Sequence, residues 1–207
     1  MQKEEYIRII KAFLFTFTGG FSNVYTYLYR GGVFSNMQTG NLIKFIISLS
    51  NGIFEPLYFV PIISFIIGCM VSISINKLKN SYIFNLIILF TIYLSCGFIP
   101  NTIVWNIIIV SVLAFLGAMM FESFNECLSV SYTSIMCTNN MRLLSSNVVQ
   151  KNYKKALFYL SIIISFSLGC FIAIIMGKTF DVYSISFLSI IFILCLVLDL
   201  PNINKEK

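Results

Sequence analysis

"GGVFSNMQTGN", residues Gly31 to Asn41, interrupts a chain otherwise dominated by Ile, Leu, Phe and Val. Its three glycines, two Asn, Thr and Gln bring flexible and hydrogen-bonding groups to a place where an ordinary membrane helix carries apolar side chains. The segment then runs into residues 41–50, "NLIKFIISLS", which are apolar again. The number of membrane crossings depends on whether this stretch crosses, or enters and returns.

Composition sets the frame. Of 207 residues 58% are hydrophobic and 11% charged, and the mean hydropathy is +0.89. Soluble domains carry roughly a quarter charged residues, so the reading is an all-α integral membrane protein with a single polytopic domain over residues 1–207. The net charge of +6 comes from 14 Lys and Arg. They cluster at segment ends without interleaved aromatic residues, as expected for bilayer orientation rather than nucleic-acid binding. There is no histidine, which excludes His-based triads and ordinary zinc sites. Cys69, Cys96, Cys127, Cys137, Cys170 and Cys195 form no CxxC pair and read as packing residues. "GKT" at Gly177–Thr179 lacks the earlier glycine of a phosphate loop, since position 172 is Ile172. No cofactor or metal is expected, and no nucleophile–base constellation points to an enzyme.

Six stretches reach spanning length: Ile9–Tyr29, Leu57–Asn76, Tyr82–Ile99, Thr102–Phe121, Ala156–Met176 and Val182–Leu198. Asn41–Ser50 and Ile135–Val149 are left over. If neither crosses and the N-terminus is cytoplasmic, the inner side holds eleven of the 14 basic residues, and only Arg30, Lys44 and Lys178 lie outside. The alternative of seven or eight spans moves Lys77 and Lys79 outside and weakens this bias. Six spans with both termini cytoplasmic is therefore the expected topology.

Met37-Gln38-Thr39-Gly40-Asn41 resembles Met136-Cys137-Thr138-Asn139-Asn140, at an offset of 99 residues. The same shift carries Leu57 onto Ala156 and Tyr82 onto Asp181, so the element order repeats over approximately 9–99 and 102–199. Three spans per half is an odd number, which predicts two inverted three-span repeats. Each would have a short re-entrant or broken helix, an arrangement used by transporters and channels.

Within this scheme Thr39 is expected to cap a half-helix over Asn41–Ser50 through its hydroxyl, with Gly40 turning the backbone sharply. Thr138, Asn139 and Asn140 would begin the matching half-helix. Two such N-termini meeting at the midplane would favour an anion, with Lys44 and Arg142 adding positive charge. The candidate substrate-binding residues are Asn36, Gln38, Thr39, Gly40 and Asn41, together with Thr138, Asn139, Asn140 and Arg142. Asn23 and Asn125 read as hydrogen-bonding groups between helices.

The run "GGFSNVYTYLYRGGVFSNMQTGNL", Gly19–Leu42, and the run "TSIMCTNNMR", Thr133–Arg142, resemble the YoaK-like family of small bacterial membrane proteins. That family commonly has Asp at the position of Asn23 and Gly at the position of Asn139. The resemblance implies an uncharacterised bacterial inner-membrane protein and names no substrate. The functional expectation is a small-solute transporter or channel taking a polar or anionic solute. The alternative is a non-transporting scaffold or partner subunit. The expected partners are the lipid bilayer and, as a possibility, a second copy of the chain.

Overall fold

The computed structural model describes residues 2–203. Eight α-helices follow one another there: α1 (Gln2–Tyr29), α2 (Gln38–Ser50), α3 (Pro56–Ile75), α4 (Ser81–Cys96), α5 (Ile103–Ser123), α6 (Thr138–Val149), α7 (Tyr153–Phe180) and α8 (Ser189–Ile203). A 3-10 segment, Asp181–Leu188, leads into α8. Lys205 and Lys207, counted above on the inner side, lie outside the described residues.

Local chemistry explains several boundaries. Gly31 and Gly32 adopt φ of 91° and 76°, left-handed values that end α1 without steric cost. Pro56 opens α3, and the Glu55 carboxylate accepts from Leu57 N at 3.2 Å. Asn152 caps α7 by accepting from Lys155 N. One feature departs from the all-α expectation: a short antiparallel hairpin of β1 (Glu126–Cys127) and β2 (Val130–Ser131), with Glu126 opposite Ser131 and Cys127 opposite Val130. Its two turn residues, Leu128 and Ser129, have φ of 51° and 60°, the mirror-image turn that suits hairpin twist. No Gly or Asn signals it in the sequence.

Among the described residues, three helical stretches are long and apolar enough to cross a membrane: Pro56–Ile75, Ile103–Ser123 and the continuous run Tyr153–Asp199. Ser81–Cys96 is apolar but shorter. Outward-facing side chains such as Ile43, Ile66, Met70, Leu168 and Phe171 are exposed. Aliphatic surface on this scale indicates membrane association.

The helices pair closely through small residues. α1 runs beside α7, where a Cβ on Gly20 would collide with the Phe166 carbonyl and one on Gly169 with the Phe17 carbonyl. α3 runs beside α5 in the same manner, where a Cβ on Gly68 would lie 2.7 Å from Phe115 O. The short helices α2 and α6 pack on α3 and α7 respectively. Helix ends sort into two polar layers. In one, Asn85 Nδ2 donates to Asn76 Oδ1 and Ser123 Oγ at 3.1 and 2.8 Å, tying the ends of α3 and α5 to the start of α4. In the other, Arg30 joins the end of α1 to the end of α4 and the start of α5.

Candidate functional site

The segment before α2 turns back along α1 instead of leaving the bundle. Ser35 N donates to Thr26 Oγ1 and Asn36 N to Asn23 Oδ1, each at 3.0 Å. Asn23 lies six residues before the end of α1, about 9 Å along its axis. The segment before α6 reaches the same part of α1 after the hairpin. Asn23 Nδ2 donates to Ile135 O at 3.4 Å, and a Cβ on Gly19 would lie 2.6 Å from Ser134 O. One α1 side chain thus holds both segments. The two residues it holds, Asn36 and Ile135, are 99 positions apart, as the sequence offset requires.

Each segment is also tied by the Asn of its own motif. The Asn41 amide accepts from Phe34 N at 3.0 Å and donates to Phe34 O at 2.7 Å. The Asn140 amide accepts from Thr133 N at 2.9 Å and donates to Thr133 O at 2.8 Å. In both cases the amide mimics a backbone peptide, pairing with the residue seven positions earlier. The remaining donor bond goes to Gln38 Oε1 in the first half and Met136 O in the second. Replacing Asn41 or Asn140 with Ala removes three hydrogen bonds and orphans buried backbone groups, an expected cost of about 2–3 kcal/mol. Hydrogen exchange would show it as faster exchange of the Phe34 amide in Asn41→Ala and of the Thr133 amide in Asn140→Ala, each confined to its own half.

The remaining candidates divide by exposure. Asn36 is buried: its Nδ2 donates to Gly19 O, while its Oδ1 rests against Gly117, where a side chain would not fit. Among the described residues, neither Asn36 Oδ1 nor the buried Ser35 Oγ has a hydrogen-bond partner. Gln38 is half-buried and donates to Ser35 O at 2.6 Å. Thr39, Thr138, Asn139 and Arg142 are exposed. Arg142 Nε donates to Asn139 Oδ1 at 3.3 Å. Lys44 donates to Gly32 O and lies 4.5 Å from the Tyr27 ring and 5.0 Å from the Phe34 ring, an aromatic cradle for its ammonium.

Two local expectations are corrected. Thr39 does not cap α2, because the helix begins at Gln38, its N-cap is Met37, and no side chain supplies the cap bond. Gly40 does not make the turn; it lies inside α2 and has no left-handed φ. The sharp turn of the first motif belongs to Gly31 and Gly32, while Gly40 gives space to the Phe34 ring, 3.2 Å from its Cβ position. α6 likewise starts at Thr138, with Cys137 at the N-cap position and no side-chain cap bond.

Sequence reasoning missed two charged groups. Arg30, placed outside as a surface charge, is 0% exposed. Its guanidinium donates to Tyr25 Oη, Pro100 O, Asn106 Oδ1, Cys96 O and Ile99 O at 2.8–3.4 Å. Five donors meet five acceptors, three of them main-chain carbonyls at and just beyond the end of α4, whose dipoles stabilise the buried cation. The second group is the Lys11–Asp199 pair at 2.7 Å, which joins α1 to α8. On the hairpin, Cys127 is buried, and burial pushes its thiol up, as for a packing residue.

No curated protein and no solved structure matches the chain. A family described as protein of unknown function matches residues 11–198, a range that takes in both motif segments, Asn23, Arg30 and Lys11. The chain therefore belongs to the DUF1275 family.

Proposed function

We propose that the protein is a small-solute transporter or channel of the bacterial inner membrane, built from two inverted three-span halves with both termini cytoplasmic. The observation that carries this reading is Asn23 holding Asn36 and Ile135 together. Two non-helical segments, 99 residues apart and built on the same Asn clamp, meet at one point inside the helices. Irregular backbone at that depth is tolerated where it is buried in protein or lines a polar path, and such meeting points are where transporters hold their solutes. The uncapped starts of α2 and α6 favour a polar or anionic solute. The bilayer is the partner along the outer faces, a second copy of the chain is compatible with it, and neither nucleic acid nor an enzymatic reaction belongs to this reading.

A second reading, a non-transporting scaffold, is favoured by one specific observation: the Asn41 and Asn140 amides are fully engaged in holding their own segments. Cysteine accessibility separates the two. In a cysteine-free background, single Cys residues at 33–37 and 133–137 would be treated with a membrane-impermeant thiol reagent from each side in turn. The transporter reading expects the first segment to react from outside and the second from inside. Silence of both segments from both sides would replace it with the scaffold.

A further inference from the structure

Two cations tie α1 to the rest of the bundle, in different ways. Arg30, just past the last residue of α1, donates to Pro100 O. Lys11 donates to Asp199 Oδ1 at 2.7 Å. The two cations are 19 positions apart, about 28 Å along a helix axis, so the ties lie near opposite faces of a bilayer core. Their targets, positions 100 and 199, are again 99 apart. The Arg30 tie joins a permanently charged guanidinium to uncharged oxygens, and no proton exchanged at ordinary pH alters it. The Lys11 tie depends on a carboxylate, whose charge a single proton removes.

The surroundings of Asp199 are not those of a finished ion pair. Its Oδ2 is buried and has no hydrogen-bond partner among the described residues. Tyr82 of α4 faces the carboxylate, yet its buried hydroxyl also lacks a partner among them. A tie that served only to hold α8 would have this hydroxyl donating to Oδ2, because a buried acceptor left open costs about 1–3 kcal/mol. Lys11 Nζ lies 4.8 Å from the Tyr82 ring centre, so a ring face remains to hold the ammonium once the carboxylate is neutral. Cys195, one turn back on α8, and Tyr132, after the hairpin, complete the surroundings without adding charge. Arg8, the next cation on α1, acts on Cys127 of the hairpin. The Lys11 and Asp199 side chains keep 14% and 11% of their surface exposed, so a proton arrives from solution at this face without crossing the core.

We propose that Asp199 is a proton-binding site, and that the proton it takes unties α8 from α1 at this end of the bundle while the Arg30 end stays tied. The proton adds to Oδ2, the carboxylate becomes a neutral acid, and Lys11 keeps its charge against the Tyr82 ring. The opening is confined to one face. Only the identity of that face, the cytoplasmic one, rests on the topology proposed above. Proton binding and release of α8 require no solute, and a test without solute keeps the failure of either reading distinct from the failure of the other.

The test uses the full chain, cysteine-free, in lipid nanodiscs. Spin labels at Tyr6 and Val197, both exposed, report the α1–α8 separation, and labels at Tyr27 and Phe98 report the Arg30 end. From about pH 8 to about pH 4, a range that reaches the ordinary Asp value, the Tyr6–Val197 distance should lengthen and broaden reversibly, with Tyr27–Phe98 unchanged. Asp199→Asn, which is neutral, should hold the long distance throughout. Asp199→Glu, which keeps a titrating carboxyl, should restore the transition. A wild-type distance independent of pH, a transition that persists in Asp199→Asn, a short distance in that variant, or both ends opening together would each overturn the assignment.

Discussion

Arg30→Ala is expected to be the most damaging polar substitution in the chain. It leaves Cys96 O, Ile99 O and Pro100 O, together with the Asn106 amide, without the cation they converge on. Each buried acceptor left without a partner costs about 1–3 kcal/mol, so the loss is a large share of the stability of a domain of ordinary size. Thermal unfolding in detergent, followed by monodispersity on size exclusion, should show either a sharply lowered midpoint or no folded protein. Arg30→Lys keeps the charge but offers three donors on a compact ammonium in place of five on a planar fork. It should fall between wild type and Arg30→Ala. An Ala variant that melts with the wild type would show that the carbonyl cluster needs no cation.

The second large effect is expected from Gly169→Leu. Gly169 sits against the Phe17 carbonyl, and the obstacle is fixed backbone rather than a side chain that can rotate away. To admit Leu, α7 must withdraw from α1. That would break the Ser165 Oγ bond to Phe13 O at 2.7 Å and loosen the Cys170 contact with Gly20 O. Overpacking alone costs about 1–3 kcal/mol, and the separated hydrogen bonds add to it. Gly52→Ala is the control: no atom lies within 4 Å of its Cβ position, so only the left-handed φ of 73° is penalised, roughly 1 kcal/mol. The two variants, compared by thermal unfolding in the same detergent, should differ clearly. Equal midpoints would mean that the α1–α7 approach contributes little.

The helical elements were legible because apolar run length and polar interruption report directly on them. The short helices after each motif were anticipated within a few residues. So was the pairing of the two motifs, since a 99-residue offset survives in the letters. Details of the motif were not. Thr-Gly-Asn reads as a cap and a turn, but the chain had already turned at Gly31 and Gly32, so Thr39 and Gly40 enter a helix that has begun. The clamp between Asn41 and Phe34 depends on a seven-residue closure that no periodicity announces. Arg30 misled for a different reason: a cation after an apolar run and before Gly-Gly looks solvated. Three of its five acceptors are main-chain oxygens about 70 residues away, which carry no sequence signature. The Lys11–Asp199 pair was hidden by the 188 positions that separate its members. The hairpin escaped because Leu128 and Ser129 hold a turn that usually advertises itself with Asn-Gly.

The pairing of α1 with α7 also bears on how the protein is made. Tyr153, the first residue of α7, is synthesised 124 residues after Tyr29, the last of α1. For that interval Thr16, Thr18 and Thr26 return their hydroxyls to α1 carbonyls, Asn23 can already hold Asn36, and Ser22 can meet Tyr93 of α4. What waits is the bare backbone at Gly20, which closes on Phe166 only once α7 exists. The close pairing of the first long helix is therefore the last to form, and a chain stopped before Tyr153 leaves that face of α1 open to any other helix in the bilayer.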